Sequence, residues 1–322
     1  MYRAADSSSL RVNRRQVLQA GLAAAGAAAL WPLPLVAEEE ELAANDGAID
    51  AHVHVWTPDT DRYPLSRGFT VADMQPPSFT PEQLFAHCRP CGVERIVLIQ
   101  MSFYGFDNSY MLDSMRAHRG VFSGVAVIDE DAADVASTMR ALKERGVRGF
   151  RIRPGERPVE TWLDGEGMAA MWQCGADEGL AMCHLINPDS LPLVDKMCRK
   201  HPDTQVVIDH FARIGVNGDI PDRDLNGLCE LAQHKHTAVK VSAFYALGEK
   251  RAPYSDLGPM IRRLLDAYGP ERLMWASDCP YQVDPGHNYR DSIELIRDRL
   301  DFLSAGDKEW LLRKTAERVF FG

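Results

Sequence analysis

Two histidines separated by a single residue are the first sign of chemistry in this sequence. His52 and His54 lie in the apolar run of residues 48–56. Alternate side chains of a β-strand share a face, so both imidazoles are expected to point the same way. Such a pair is a good half-site for a divalent transition metal, although partly buried histidines without a metal also fit this spacing. Further donors elsewhere in the chain therefore decide the interpretation.

Three such donors, His184, His210 and Asp278, each lie at the end of a strand-like run far downstream. If these strands are parallel and close into a barrel, their carboxyl ends meet at one mouth, where the three side chains join the histidine pair. A catalytic metal site uses three or four such groups and keeps one position open for water. The five residues therefore supply up to four ligands and one free acid or base. For His184, a satisfied core histidine is the alternative.

The elements that would position these residues alternate between strand-like and helix-like periodicity. After the first run, the pattern predicts strands at 93–101, 122–128, 147–152, 181–186, 205–208, 238–241 and 272–276. It predicts helices at 81–91, 108–118, 132–145, 167–179, 188–200, 225–233, 255–268, 289–303 and 307–320. Eight β/α units of this kind predict an α/β fold, a single-domain (β/α)8 TIM barrel.

The first 37 residues are interpreted as an export signal. Arg14 and Arg15 precede an Ala/Gly/Leu-rich run at 20–30, and four glutamates follow at 38–41. This pattern resembles a twin-arginine signal peptide. We therefore expect residues 1–37 to form the signal and 38–322 the barrel, with Tat-dependent export to the periplasm or another extracytoplasmic space. An uncleaved membrane anchor is the alternative.

Composition restricts the partners of the protein. The net charge is −10 and no basic stripe is present, which argues against a nucleic-acid partner. The seven cysteines are scattered along the chain and predict no disulfide framework. A small-molecule substrate is expected, and a homo-oligomer remains open.

An ordered set of motifs resembles one enzyme family. The motifs are His52-Val53-His54, the Val-Ile-Asp-His stretch at 207–210, Lys240-Val241-Ser242, the stretch at 273–280 that contains Asp278, and the closing residues 315–320. Together they resemble the amidohydrolase-related metal-dependent hydrolase family of the amidohydrolase superfamily. Its members include L-fuconolactonase, 2-pyrone-4,6-dicarboxylate lactonase and aminocarboxymuconate semialdehyde decarboxylase. The resemblance covers essentially all of residues 38–322.

The resemblance implies a ligand set and roles. By its pattern, one divalent metal ion, Zn²⁺ as the first choice, is bound by His52, His54, His184 and Asp278, while His210 works on the reaction. The lysine that bridges two metals elsewhere in the superfamily is not found, because residues 149–154 read Gly-Phe-Arg-Ile-Arg-Pro. A mononuclear site is therefore expected. Some lactonases of the family work without metal, so a metal-independent enzyme is the alternative.

Three arginines indicate an anionic substrate. Arg151 and Arg153 share a strand face near the mouth, and Arg213 follows His210 by three residues. A guanidinium group matches a carboxylate, although any one of them could instead pair with an acidic residue of the barrel. The long connection at 57–80 is expected to be functional. In and beside it, Trp56 and Tyr63 are the candidates to face substrate, with packing of the loop as the alternative.

These residues predict a hydrolase that cleaves a lactone, ester or amide carbonyl. A bound zinc ion would lower the pKa of water, Asp278 would accept its proton, and His210 would steady the oxyanion or serve as the acid. A carbon-carbon lyase that decarboxylates an unsaturated acid is the second hypothesis. A non-catalytic binding barrel is the third, and the intact set of His52, His54 and Asp278 argues against it.

The export hypothesis predicts the effect of replacing the arginine pair. Changing both Arg14 and Arg15 to lysine should leave precursor in the cytoplasm, because the twin-arginine pathway reads that pair. Fractionation of cells that express the wild type and the double variant measures this. Export of the variant at the wild-type rate would contradict the assignment.

Overall fold

Eight parallel strands form the centre of the protein. The computed structural model describes residues 47–155 and 157–322. Its strands are β1 (Ala48–Val53), β2 (Val93–Ile99), β3 (Phe122–Ala126), β4 (Val147–Ile152), β5 (Ala181–His184), β6 (Val206–Ile208), β7 (Thr237–Val241) and β8 (Leu273–Trp275). They are hydrogen-bonded in sequence order, and every neighbouring pair from β1 to β8 is parallel. The predicted barrel of eight strands is confirmed.

Helices surround this barrel. They are α1 (Pro81–Cys88), α2 (Ser109–Ala117), α3 (Val135–Lys143), α4 (Glu166–Glu178), α5 (Leu191–Lys200), α6 (Asp222–Glu230), α7 (Gly258–Tyr268), α8 (Tyr289–Glu294), α9 (Ala305–Glu309) and α10 (Thr315–Phe320). Gly47 to Gly322 lie in one compact unit. None of the helices in the described part is long and apolar enough to span a membrane. The predicted signal at 1–37 lies outside the described residues and stays a prediction.

The apolar side chains separate into two layers because successive residues of a strand point to opposite faces. The inward layer includes Ile49, Val97, Cys183 and Met274, and the end of α10 contributes Ala316, Val319 and Phe320 to it. The outward layer, which includes Phe150, Met182 and Trp172, packs between strands and helices. Strands buried on both faces explain the nearly continuous apolar runs in the sequence.

A β-bulge changes which residues of β1 point inward. The pairing of β1 with β2 shifts register between Asp50 and Val53. Ile49 and Ala51 belong to the inward layer. The next residue, His52, points inward as well, since the centroid of its ring lies 4.3 Å from that of His210. Strict alternation would have sent His52 outward. The extra residue of the bulge therefore brings the histidine pair into the barrel.

The carboxylate of Asp50 holds this bulge. Its Oδ1 accepts hydrogen bonds from the backbone N–H groups of His52 (3.2 Å) and Ser277 (2.9 Å), and its Oδ2 accepts one from the Tyr289 hydroxyl (2.6 Å). β8 is joined to β1 just beyond this point. The Asp278 N–H donates to the His52 carbonyl (2.9 Å), and the His54 N–H donates to the Cys279 carbonyl (2.8 Å). One set of contacts thus fixes the bulge and nearly closes the barrel.

Gly149 tests the packing of the barrel interior. A Cβ at this position would lie 2.9 Å from the Ala181 carbonyl oxygen, so Gly149→Ala should lower the free energy of unfolding by about 1 to 3 kcal/mol through overpacking. The same change at Gly306 in α9, where the nearest atom is 3.8 Å away, should raise it by up to about 1 kcal/mol. Urea denaturation measures both. Equal effects would contradict the close approach of β4 and β5.

Candidate active site

Three ligand-type atoms converge at the mouth of the barrel. His52 Nε2 lies 3.3 Å from His54 Nε2, and each of these nitrogens lies 3.5 Å from Asp278 Oδ1. All three residues are buried. Among the described residues they form a group that could hold a metal ion.

The separations of these atoms fit a tetrahedral metal. Bonds of about 2.0 to 2.2 Å place tetrahedral ligand atoms about 3.3 to 3.6 Å apart. Asp278 Oδ1 is also buried without a hydrogen-bond partner in the described part of the chain. A buried carboxylate oxygen normally has a partner, so its position indicates that a cation or a bound molecule completes the site. Two imidazoles and one carboxylate suit zinc.

Contacts behind the ligand atoms set their direction. His54 Nδ1 donates to the Ile99 carbonyl (2.9 Å), which leaves the lone pair of Nε2 facing the site. The Tyr245 hydroxyl donates to Asp278 Oδ2 (2.7 Å), which turns Oδ1 toward the histidines. Burial alone would raise the pKa of Asp278, but the neighbouring imidazoles of His210, His54 and His52 hold that pKa well below its usual range. Asp278 is therefore a carboxylate at neutral pH.

Charged side chains surround the inner edge of His52. Lys240 Nζ lies 3.2 Å from His52 Nδ1 and 3.0 Å from Asp209 Oδ1, and all three residues are fully buried. Arg151 Nη2 lies 3.4 Å from His52 Nε2. Burial, followed by the charge of Lys240, lowers the pKa of His52 well below its usual value. The imidazole is therefore neutral, as a metal ligand must be.

His210 occupies the opposite side of the carboxylate. Its Nε2 lies 3.7 Å from Asp278 Oδ2, and its Nδ1 lies 2.8 Å from the Ser242 hydroxyl oxygen. Burial lowers the pKa of His210, while the charges of Asp278 and Asp209 oppose the shift. When the Ser242 hydroxyl donates to Nδ1, the shorter of its two contacts, rather than to the Lys240 carbonyl 3.4 Å away, the ring proton is on Nε2, where it faces the site.

Three successive strands end in a strained backbone. His210, Ala243 and Asp278 have φ values of 52°, 58° and 64°, and the left-handed region continues from His210 through Arg213. This conformation costs about 1 to 2 kcal/mol for each residue that has a Cβ. Such strain collects where it serves a function. Here it turns the chain sharply at the mouth, so that His210 and Asp278 face each other.

A cavity of about 250 Å³ lies above these residues. His54, His210 and Asp278 form its floor, and Arg151, Tyr245 and Arg213 stand among its walls. A neighbouring cavity of about 300 Å³ shares Leu185 and Arg213 with it and is lined by Arg153. Two of the three predicted substrate arginines therefore line the cavity above the candidate ligands, and Arg153 lies in the adjacent one.

His184 is not brought together with the other predicted ligands. Cys183 belongs to the inward layer, so the next residue, His184, faces the helices. Its ring packs against Trp162 and Trp172, with centroids 6.1 and 5.4 Å away, and Nδ1 donates to the Met182 carbonyl (3.0 Å). Burial lowers its pKa to about 4. The structure corrects this ligand assignment because the strand carries no bulge that would turn His184 inward.

Trp56 and Tyr63 also lie away from the cavity lining. Trp56 is fully buried, packs edge-on against Phe103 and donates from Nε1 to the Pro76 carbonyl (2.8 Å). The Tyr63 hydroxyl donates to Asp113 Oδ2 (2.8 Å). Both aromatic rings hold the long connection against the barrel. The placement in substrate contact is corrected accordingly.

Four residues of the site were given no role from the sequence. Asp209 and Lys240 lie inside motifs that the sequence shows, and Ser242 closes one of them, but no spacing rule indicates that they contact histidines. Tyr245 lies in the short helical turn Phe244–Ala246, which carries no periodic signal. The acid next to His210 and a lysine in an otherwise apolar strand were the available signs, because a buried charge requires a partner.

A family model described as amidohydrolase matches residues 49–322. The chain belongs to the amidohydrolase family. The family resemblance carried by the motifs is thereby confirmed.

Two curated relatives and one solved structure are similar to this chain. The 4-sulfomuconolactone hydrolase of Rhizobium radiobacter is 30% identical over 241 residues, which cover 73% of this chain and 76% of that protein. The L-fucono-1,5-lactonase of Burkholderia ambifaria is 28% identical over 249 residues, which cover 74% and 82%. The crystal structure of a Burkholderia multivorans amidohydrolase with bound zinc shares the fold, with a TM-score of 0.72, 23% identity and coverage of 85% and 99%. The chain is an enzyme, a hydrolase of this amidohydrolase family.

The geometry predicts which histidines hold metal. His54→Ala should lower zinc affinity by at least about tenfold because it removes one of three converging ligands. His184→Ala should leave the affinity unchanged, since its ring faces the helix layer. Zinc titration against a chromogenic chelator measures both. Loss of zinc from a folded His184→Ala protein would contradict the outward orientation.

Proposed function

We propose that the protein adds water to the carbonyl carbon of a small anionic lactone and opens its ring. The observation that carries this proposal is the buried Asp278 Oδ1, which has no hydrogen-bond partner among the described residues and converges with two imidazole nitrogens. The names of the two curated relatives, both of which are lactone hydrolases, support the choice of a lactone over another carbonyl compound. They also favour hydrolysis over decarboxylation.

A divalent metal ion, with zinc as the first candidate, would be held by His52, His54 and Asp278. When bound, it would polarise the substrate carbonyl and make a water molecule more acidic. The zinc in the related Burkholderia multivorans structure supports this choice of metal.

The side chains of this protein carry the proton. The Asp278 carboxylate is positioned to accept a proton from the attacking water. Because Oδ1 is the atom that would bind the metal, the proton goes to Oδ2, which keeps a second lone pair beside the Tyr245 hydroxyl. As the carbon–oxygen bond of the ring breaks, the proton passes from Asp278 to the alkoxide that leaves. The product is a carboxylate with a free hydroxyl group.

His210 stabilises the charge that develops on the opposite side. Its Nε2 faces the cavity 3.7 Å from Asp278 Oδ2, so a hydrogen bond from this ring can reach an oxygen of the reacting carbonyl or the leaving group. Burial keeps the imidazole neutral and lowers its pKa. It therefore donates without adding a positive charge to the cavity.

The arginines select an anionic substrate. The side chain of Arg151 is 6% exposed, and its Nε has no hydrogen-bond partner among residues 47–155 and 157–322. Arg213 and Arg153 extend positive charge into the neighbouring cavity. A carboxylate or sulfonate on the lactone would bind these guanidinium groups while the ring occupies the 250 Å³ cavity.

The experiment replaces the proposed base. Asp278→Asn should lower kcat for lactone opening by about 10² to 10⁴ because the shape is kept and the proton acceptor is lost. KM should change far less, since the arginines still hold the anionic group. Asp113→Asn, the same substitution beside Tyr63 and outside the cavity, is the control and should keep wild-type turnover.

The assay compares a panel of carboxylated lactones with carboxylated dienes and follows both ring opening and CO₂ release. Release of CO₂ without ring opening would replace hydrolysis by decarboxylation. Near-normal turnover of Asp278→Asn would move the base to another residue.

A further inference from the structure

A buried ion pair lies directly beneath the candidate metal site. Lys240 on β7 and Asp209 after β6 are separated by 3.0 Å between Nζ and Oδ1, and both are fully buried. The Lys240 ammonium also lies 5.4 Å from the centroid of the Phe320 ring at the end of α10. A buried pair of this kind adds little stability compared with apolar side chains of the same size. Its position therefore calls for another explanation.

Both members of the pair face the same atom. His52 Nδ1 lies 3.2 Å from Lys240 Nζ and 3.5 Å from Asp209 Oδ1. An ammonium group can only donate a hydrogen bond, and a carboxylate can only accept one. A neutral imidazole carries a single ring proton, so Nδ1 can serve one partner at a time. It accepts from Lys240 when it is bare, and it donates to Asp209 when it holds the proton.

The partner that Nδ1 takes decides whether Nε2 of His52 carries the ring proton. With the proton on Nδ1, Nε2 presents a lone pair to the position between His54 and Asp278. With the proton on Nε2, this nitrogen instead faces Asp278 Oδ1 at 3.5 Å as a donor and has no lone pair for a metal. The two tautomers of His52 therefore correspond to a site that is able to bind metal and a site that is not.

We propose that Lys240 and Asp209 compete for Nδ1 of His52 and thereby set the metal affinity of the site. Lys240 favours the tautomer that excludes metal, and Asp209 favours the tautomer that binds it. Arg151 Nη2 acts on the same side as Asp209, since it lies 3.4 Å from Nε2 and can only donate to it. Lys240 and Asp209 are positioning residues, since they act through His52. This inference rests on the metal site of the proposed function and adds a control of its affinity.

The charges of the interior point in the same direction. Two carboxylates and two cations are already present here: Lys240 and Arg151 both lie beside Asp209, while Asp278 contacts the histidines. A divalent cation adds two positive charges to this buried group, where the repulsion from Lys240 is screened less than in water. Removal of the Lys240 charge should therefore favour metal through electrostatics as well as through the tautomer.

The first experiment measures zinc affinity by competition with a chromogenic chelator. Lys240→Met should bind zinc at least about tenfold more tightly than the wild type, and Asp209→Asn about 10- to 100-fold more weakly, as found for partners of metal-bound histidines. Lys143→Met is the matched control, because Lys143 pairs with Glu178 on the outer helices. Its zinc affinity should equal that of the wild type.

Lys240→Gln is a second variant, used in case Lys240→Met does not fold. Glutamine is neutral and keeps a donor for Asp209, so it should also tighten zinc binding, and it decides the question if the Met variant is unfolded by circular dichroism. Folded Lys240 variants that bind zinc no more tightly than the wild type would overturn the proposal.

The second experiment needs no change at Lys240. ¹⁵N NMR of labelled histidines, with the His52 signals assigned from their loss in His52→Gln, reports which ring nitrogen carries the proton. In the metal-free wild type the proton should lie on Nε2, and zinc should transfer it to Nδ1. A metal-free protein with the proton already on Nδ1 would overturn the competition.

These outcomes separate the inference from the proposed function. A wild type that opens lactones while its Lys240 variants show unchanged zinc affinity retains the function and loses the inference. A wild type that binds no zinc while Lys240→Met does bind it supports the inference, and the metal dependence of the proposed function then fails.

Discussion

The junction between β8 and β1 is the contact on which both the fold and the site depend. Two backbone hydrogen bonds, from Asp278 to His52 and from His54 to Cys279, join the last strand end to the first. The same bonds bring the Asp278 carboxylate within 3.5 Å of both imidazoles. Asp50 stabilises the junction, since it binds backbone N–H groups on each side of it. A barrel that failed to close here would lose its ligand cluster as well as its last strand pairing.

The left-handed backbone at the ends of β6, β7 and β8 also depends on the closure of the barrel between β8 and β1. Each strained residue costs free energy that a regular loop would not. The surrounding barrel supplies enough buried apolar contact to hold these turns, because the strands are covered on both faces. The strain is confined to the side of the mouth where His210 and Asp278 face each other.

The sequence was sufficient for the barrel and for most residues of the site, because both depend on local periodicity and on the convergence of parallel strand ends. It was not sufficient for the direction of individual side chains. Alternation along β5 is regular, so His184 follows the inward Cys183 and must face outward. Alternation along β1 is broken by a bulge, so the neighbouring residues Ala51 and His52 both face inward. The presence or absence of one extra residue decides each case, and no propensity rule locates such a residue. Trp56 and Tyr63 differ for another reason, since large aromatic rings hold a long connection by packing as readily as they bind substrate.

The buried charges explain how one barrel interior could accept both a cation and an anion. Asp209 and Asp278 balance Lys240 and Arg151, so these four side chains together carry no net charge before anything binds. A divalent cation would unbalance this group by two positive charges, and an anionic substrate beside Arg151 would offset part of that excess. Binding of the cation and of the substrate anion should therefore favour each other through electrostatics, which are strong in a site that excludes water. The arginines at the mouth and the ligands on the floor are thus parts of one charge arrangement, with His52 as the residue that touches both.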